Sequence, residues 1–275
     1  MVAGLAFIAT AIAAVFAQAT SVRWSRSRAP HQGAWTVALA FFALASAALA
    51  TGASTGWDRG TFRAFYLLGA IVNVPWLALG TVYLLMGRKV GNRVRAVLLV
   101  FTGMALGVML AAPIHGTIAV NRIPVGKEHF GVLPRAMAGS ASGIGAIVVF
   151  GGAVWSAVRF ARSRRPGSGR MAGSNALIAL GTLVLSSGGL LQGVVGSDES
   201  FAITLAVGIA VIYAGFVVAS GTRRSAAAGY DGASGAAGDD LASEAGNPDE
   251  SLRRKSLPAN ERGTSSTSST RVGSL

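Results

Sequence analysis

The sequence predicts an all-α membrane protein, a bundle of seven transmembrane helices followed by a disordered tail. Three observations carry that expectation. Of 275 residues, 52% are hydrophobic and 13% charged, and the mean hydropathy is +0.53, whereas roughly a quarter of the residues of a soluble domain are charged. Seven stretches of about 20 residues or more, the length that crosses roughly 30 Å of hydrocarbon as helix, contain no Asp, Glu, Lys or Arg. The basic residues lie in short clusters between those stretches rather than along one groove.

In chain order the uncharged stretches are Val2 to Thr20, Ala34 to Ser54, Ala64 to Gly87, Ala96 to Gly116, Ala136 to Val158, Ser174 to Ser197 and Phe201 to Thr222. None shows the ten-residue alternating pattern of barrel strands, so backbone groups in lipid must be satisfied within helices. The first stretch also reads as a secretory signal, because Ala17-Gln18-Ala19 is a small-x-small site after an apolar run. Charge order favours a retained helix instead: no Lys or Arg precedes it, while Arg23, Arg26 and Arg28 follow. Trp24, Trp35, Trp57 and Trp155 fall near predicted helix ends, where an indole suits the interface.

Orientation follows from the clusters. Arg23, Arg26, Arg28, Arg88, Lys89, Arg93, Arg95, Arg159, Arg162, Arg164, Arg165, Arg170, Arg223 and Arg224 fall on one side. Arg59, Arg63, Arg122, Lys127 and Arg135 fall on the other, with Asp58, Glu128, Asp198 and Glu199. The richer side is expected in the cytoplasm, which puts the N-terminus outside, the C-terminus inside and the protein in a plasma membrane, the inner membrane of a bacterium. The net charge of +13 and the pI near 11.5 invite a nucleic-acid reading. Residues 221–275, however, carry seven basic and seven acidic side chains, so the excess belongs to the membrane part, and no nucleic-acid partner is expected. The chain thus divides into a transmembrane domain, 1–220, and a Ser-, Gly- and Ala-rich cytoplasmic tail, 221–275. Arg223-Arg224-Ser225 and Arg253-Arg254-Lys255-Ser256 could present serines to a kinase, and the tail could engage a cytoplasmic protein.

The chemistry of the spans argues against catalysis. No lysine in the last span can carry a Schiff base, no carboxylate lies in a span for a proton-driven carrier, and three histidines do not make a converging ligand set. Ser140, Ser142, Ser186 and Ser187 lack a base at their depth. Cysteine is absent. No catalytic residue, metal or cofactor is therefore expected. Gly103/Gly107, Gly139/Gly143 and Gly189/Gly193 have GxxxG spacing, which predicts close helix packing within the monomer or, alternatively, between copies; the oligomeric state stays open.

The third span holds the sharpest local feature. Tyr66, Gly69, Asn73, Trp76, Gly80 and Tyr83 recur at steps of three or four and line one polar, aromatic face. Pro75 removes the hydrogen bond to the carbonyl four residues earlier and bends the helix beside an amide and an indole. That arrangement suits a small-molecule pocket formed by Tyr66, Asn73, Pro75, Trp76 and Tyr83, together with His115 near the outer end of the fourth span and Gln192 of the sixth. It equally suits interhelical hydrogen bonding. The sixth span repeats the pattern with Asn175, Thr182, Ser186, Gly189 and Gly193. Ala78 to Leu85 and Ala179 to Leu185 share Ala-Leu-Gly-Thr in oppositely running helices, a short hint of inverted repeats.

The run from Gly56 to Ala70 (GWDRGTFRAFYLLGA), continued by Asn73 to Leu85 (NVPWLALGTVYLL), resembles an uncharacterised family of actinobacterial seven-helix membrane proteins. The likeness spans about residues 1–222, implies a plasma-membrane location and carries no activity. Arg outnumbering Lys by 21 to 3 fits a GC-rich source. The plan also resembles seven-helix sensor regions fused to bacterial histidine kinases, without a kinase. The function expected is a small-molecule-binding sensory or accessory module of the membrane; the alternative is a carrier for a small neutral or amphipathic molecule.

Overall fold

The computed structural model describes residues 1–120, 122–163, 168–195 and 197–219, with the side chains of 190–195 not included. The expected tail, 221–275, lies outside the described residues, as does the side chain of Gln192. The described residues belong to the compact unit Met1–Thr222. Regular structure among them is helical: α1 (Val2–Ser27), α2 (Pro30–Thr55), α3 (Arg59–Phe65), α4 (Asn73–Ala111), α5 (Gly126–His129), α6 (Val132–Ala161), α7 (Ser168–Val195) and α8 (Asp198–Ala219), with a π-helical segment, Tyr66–Val72, joining α3 to α4. Six helical runs among the described residues are long and apolar enough to cross a membrane, the longest being Arg59–Ala111.

That 53-residue run would measure roughly 80 Å if straight, and it is not straight. Gly87 has φ 80° and ψ 179°, a conformation that only a residue without Cβ adopts readily. The two arms of α4, 73–86 and 88–111, fold back on each other there. Trp76 Nε1 donates to Thr102 Oγ1 at 3.0 Å, the Tyr83 hydroxyl donates to Asn92 Oδ1 at 2.9 Å, and the Tyr83 ring lies flat against Gly91. Residues 76 and 102 would stand about 39 Å apart along a continuous helix. The reversal takes a single residue, so Arg88, Lys89, Arg93 and Arg95 ride on the start of the second arm rather than in a loop. That arm ends at Ala111, since Ala112 precedes Pro113 and is extended (ψ 128°). His115, expected inside the fourth span, is therefore exposed in the connecting segment.

A second irregularity answers Pro75. Through Tyr66–Val72 the backbone bonds to the fifth residue back, as in Asn73 N–H to Leu68 O. In that register the carbonyl of Ala70 faces position 75, a proline with no N–H to offer. The orphaned oxygen accepts from the Ser142 hydroxyl of α6 at 2.6 Å. Three residues on, Gly145 of α6 brings its backbone against Val74 and Pro75. Ser142 thus replaces the missing donor, a standard repair for proline in lipid-embedded helices.

The remaining packing uses small residues. The α7 and α8 backbones approach through Gly181, Gly208 and Gly215, and Ser174 Oγ of α7 donates to the Gly215 carbonyl at 2.7 Å. Phe16 of α1 meets Tyr213 and Phe216 of α8, with ring centroids 5.3 and 4.7 Å apart. Contrary to the expectation of packing within the monomer, Gly103, Gly107, Gly139, Gly143 and Gly189 have nothing near the position of a Cβ, and the side-chain position of Gly193 is outside the described residues. GxxxG spacing marks a face without saying which way it points.

The two ends of the bundle differ. At one end stand Arg23, Arg26, Arg28, Arg88, Lys89, Arg93, Arg95, Arg159, Arg162 and Arg170, with no acidic side chain among the described residues there. The other end is covered by the segment between α4 and α6. Phe62 stacks on Phe130 (centroids 4.9 Å apart, planes 18°), Arg63 Nη2 donates to the Ala112 carbonyl at 2.7 Å, and Asp198 Oδ2 accepts from Ile123 N–H at 2.9 Å. His115 N–H donates to the His129 carbonyl, and His129 Nδ1 donates to the His115 carbonyl, both at 2.9 Å.

Candidate ligand-binding cavity

A cavity of about 90 Å³ lies among five long helices and the first arm of α4, near the basic end. On α6 its wall is Val149, Gly152, Ala153 and Ser156, with Thr81 and Leu85 of α4 packed close against Gly152. From Val149 to Ser156, both on its wall, the helix rises about 10 Å, which sets the depth. Phe16 and Leu39 close one side, and Ile212 and Phe216 another. Leu84 and Leu85 on its wall, next to the turn at Gly87, are 54% and 44% exposed.

The wall is mainly apolar with a few polar groups. Thr182 and Asn175 are turned partly to their own helix: Thr182 Oγ1 donates to the Ile178 carbonyl and Asn175 Nδ2 to that of Met171, each at 2.8 Å, which leaves Asn175 Oδ1 as an acceptor. Trp35 Nε1, Thr81 Oγ1 and Ser156 Oγ make no hydrogen bond among the described residues. The Trp35 indole lies against Gly80, whose missing side chain makes room for the ring. The Arg23 guanidinium sits 4.2 Å from the ring centroid of Phe216, a wall residue, in a cation–π contact.

The residues expected from the sequence to form a pocket stand elsewhere. Trp76 and Tyr83 are buried and engaged with the second arm of α4. Pro75 packs against α6, and Tyr66 lies under the cover at the end opposite the basic one, against Phe62, Phe130 and Gly126. Asn73 is buried, with no hydrogen bond to its side chain among the described residues. None of these, nor His115, lines the cavity. Asn175 and Thr182 do, and they belong to the polar face of the sixth span noted in the sequence. Thr81 neighbours the predicted face of the third span, one position beyond Gly80. Ser156 and Phe216 carry no local signal; they become wall residues only through the arrangement of the helices.

Compared with family models, curated proteins and solved structures, the chain matches none of them. The cavity itself is therefore the ground for a functional reading.

Proposed function

We propose that the chain is a seven-crossing integral plasma-membrane protein that binds a small molecule in this cavity as a sensory or accessory module. The reversal at Gly87 supports seven crossings, since the helical runs on either side of it, 59–86 and 88–111, each reach the length of a span. The basic end supports an outside start and an inside tail. The resemblance to actinobacterial seven-helix proteins agrees with that plan and assigns no activity.

The observation that carries the reading is an apolar cavity holding three polar groups that have no partner among the described residues, Trp35, Thr81 and Ser156. A mainly apolar space with a few polar groups on its wall is the composition of small-molecule sites.

The test is thermal unfolding of the purified full chain in a nonionic detergent against sugars, amino acids, quaternary amines and single-chain lipids. A ligand of the folded state raises the midpoint by mass action. The shift should persist in Asn73→Val, which does not touch the cavity, and vanish in Ser156→Phe, which fills it. No shift with any compound would overturn the proposal. Facilitated uptake into liposomes would favour the carrier.

A further inference from the structure

We infer that the second arm of α4, 88–111, carries a site for an anionic phospholipid, whose phosphate sits among Arg88, Lys89 and Arg93 and whose acyl chain lies along the small residues that follow them. The inference rests on the reading of the two arms of α4 as separate membrane crossings and not on the cavity. At 3.6 residues per turn, the packed side of this arm is Gly91, against the Tyr83 ring, with Val94, Leu98, Ala105 and Met109 in or against the core. Opposite that side stand Lys89, Ala96, Gly103 and Leu110, all exposed, at steps of seven residues that keep them on one line.

Charge selects the head. Arg88, Lys89, Arg93 and Arg95 are exposed at the start of the arm, and none has a carboxylate partner among the described residues. Basic side chains also repel the positive N-terminal end of a helix, so an anion there relieves two costs at once. A cluster of this density at a membrane surface attracts anionic lipid, by about fivefold for each charge. The acyl chain has a track of matching length. From Arg93 to Gly103 the arm rises about 15 Å, half of the roughly 30 Å of hydrocarbon and so the depth of one leaflet. Over that distance Ala96 and Gly103 leave a shallow line between the exposed Leu99 and Val100, and no atom stands within 4 Å of the Cβ position of Gly103. Charge argues against a second copy as the occupant. Two parallel copies meeting on this face would set Lys89 and Arg93 against their own counterparts at the same depth, whereas a lipid phosphate brings the opposite sign.

The experiment incubates the full chain, purified in a nonionic detergent, with equal amounts of dioleoyl phosphatidylglycerol and dioleoyl phosphatidylcholine and counts the bound lipids by native mass spectrometry. Wild type should take up phosphatidylglycerol in preference. Lys89→Gln combined with Arg93→Gln, both at exposed positions, should lower that preference by about 25-fold, fivefold for each charge. Arg159→Gln combined with Arg162→Gln removes the same charge from the same end of the bundle, on α6, and should leave the preference unchanged. Gly103→Leu blocks the track and should weaken phosphatidylglycerol binding with every charge in place. Equal binding of the two lipids by wild type would overturn the inference and leave the crossing standing, since bound phosphatidylcholine still reports a lipid-facing arm. Equal losses from the two double variants would overturn it in favour of a diffuse field of the whole basic end, and unchanged binding by Gly103→Leu would overturn the acyl track. Near-complete disulfide dimers of Gly103→Cys in phosphatidylglycerol vesicles would overturn it in favour of a second copy on this face.

Discussion

Gly181→Ala and Gly103→Ala are the same chemical change, and the structure gives them opposite signs. A methyl on Gly181 would lie 2.5 Å from Ile212 Cγ1, 2.8 Å from the Gly208 carbonyl oxygen and 2.9 Å from the Ile212 nitrogen. Two of the three are backbone atoms, so no rotamer change relieves the overlap, and α7 and α8 must part by several tenths of an ångström. Overpacking of this kind costs about 1–3 kcal/mol, and a gap of half an ångström or more elsewhere along the seam forfeits a quarter or more of its dispersion contacts. Gly103 has no atom near its Cβ position, so alanine there changes only backbone entropy, a gain of roughly 0.5–1 kcal/mol. For a domain of this size 1 kcal/mol moves the midpoint by about 2–4 °C. Gly181→Ala should therefore lower the thermal midpoint in detergent by roughly 2–12 °C, and Gly103→Ala should leave it unchanged or raise it. Equal midpoints for the two variants would refute the reasoning, and so would a loss at Gly103, since that requires a contact absent from the monomer.

Three other predictions rest on separate contacts. Trp76→Phe removes the indole donor to Thr102, whose hydroxyl still donates to the Leu98 carbonyl at 2.7 Å; with nothing orphaned, the loss should be about 1 kcal/mol in an unfolding titration. Asp58 caps α3 by accepting from Gly60 and Thr61 N–H and from the Thr61 hydroxyl, and these bonds, the hydroxyl's foremost, hold its pKa below the ordinary 3.8. Stability from this lowered value is present above pH 3.8 and is lost as pH falls through the folded-state value, so wild type and Asp58→Asn should converge in midpoint only in that acid range. The chain has no cysteine, so single cysteines report topology. Arg59→Cys and Thr117→Cys should both react with an impermeant maleimide on intact cells and Lys89→Cys only after permeabilisation, whereas one continuous crossing from 59 to 111 would separate 59 from 117.

Apolar run length was legible because lipid makes it a local requirement, and the breaks at Pro75 and Gly87 were legible as residues. What they do was not. Charge placed the end of the third stretch at Gly87, but a reversal within one residue depends on Trp76 finding Thr102 and Tyr83 finding Asn92. The polar face of that stretch was correctly periodic, yet periodicity cannot tell a face turned to a cavity from one turned to a neighbouring helix. Trp76 and Tyr83 took the second course. Thr81 reached the cavity from just beside that face, and Ser156 did so only through the arrangement of the helices. The glycines teach the same lesson: Gly181, Gly208 and Gly215 make the close approaches while Gly103 and Gly107 face outward.

The proline repair and the cavity share one pair of helices, and that sharing has a measurable consequence. Ser142 and Gly145 clamp α6 to α4 at the π segment, and less than two turns further along α6 Val149 begins the cavity wall, opposite Leu77. A ligand larger than the cavity would push these helices apart, and the 2.6 Å bond from Ser142 to the Ala70 carbonyl would resist. Ser142→Ala removes that resistance and orphans the carbonyl, at a cost of about 1–3 kcal/mol in the empty protein. If the bond is weakened in the occupied state, part of that cost is not paid there, and linkage requires tighter binding. The variant should unfold at lower temperature yet bind a compound that occupies the cavity more tightly, by up to about fivefold for 1 kcal/mol of relieved strain. Lower stability with unchanged affinity would show that the cavity fills without moving α6, and would separate the repair of Pro75 from the binding of ligand.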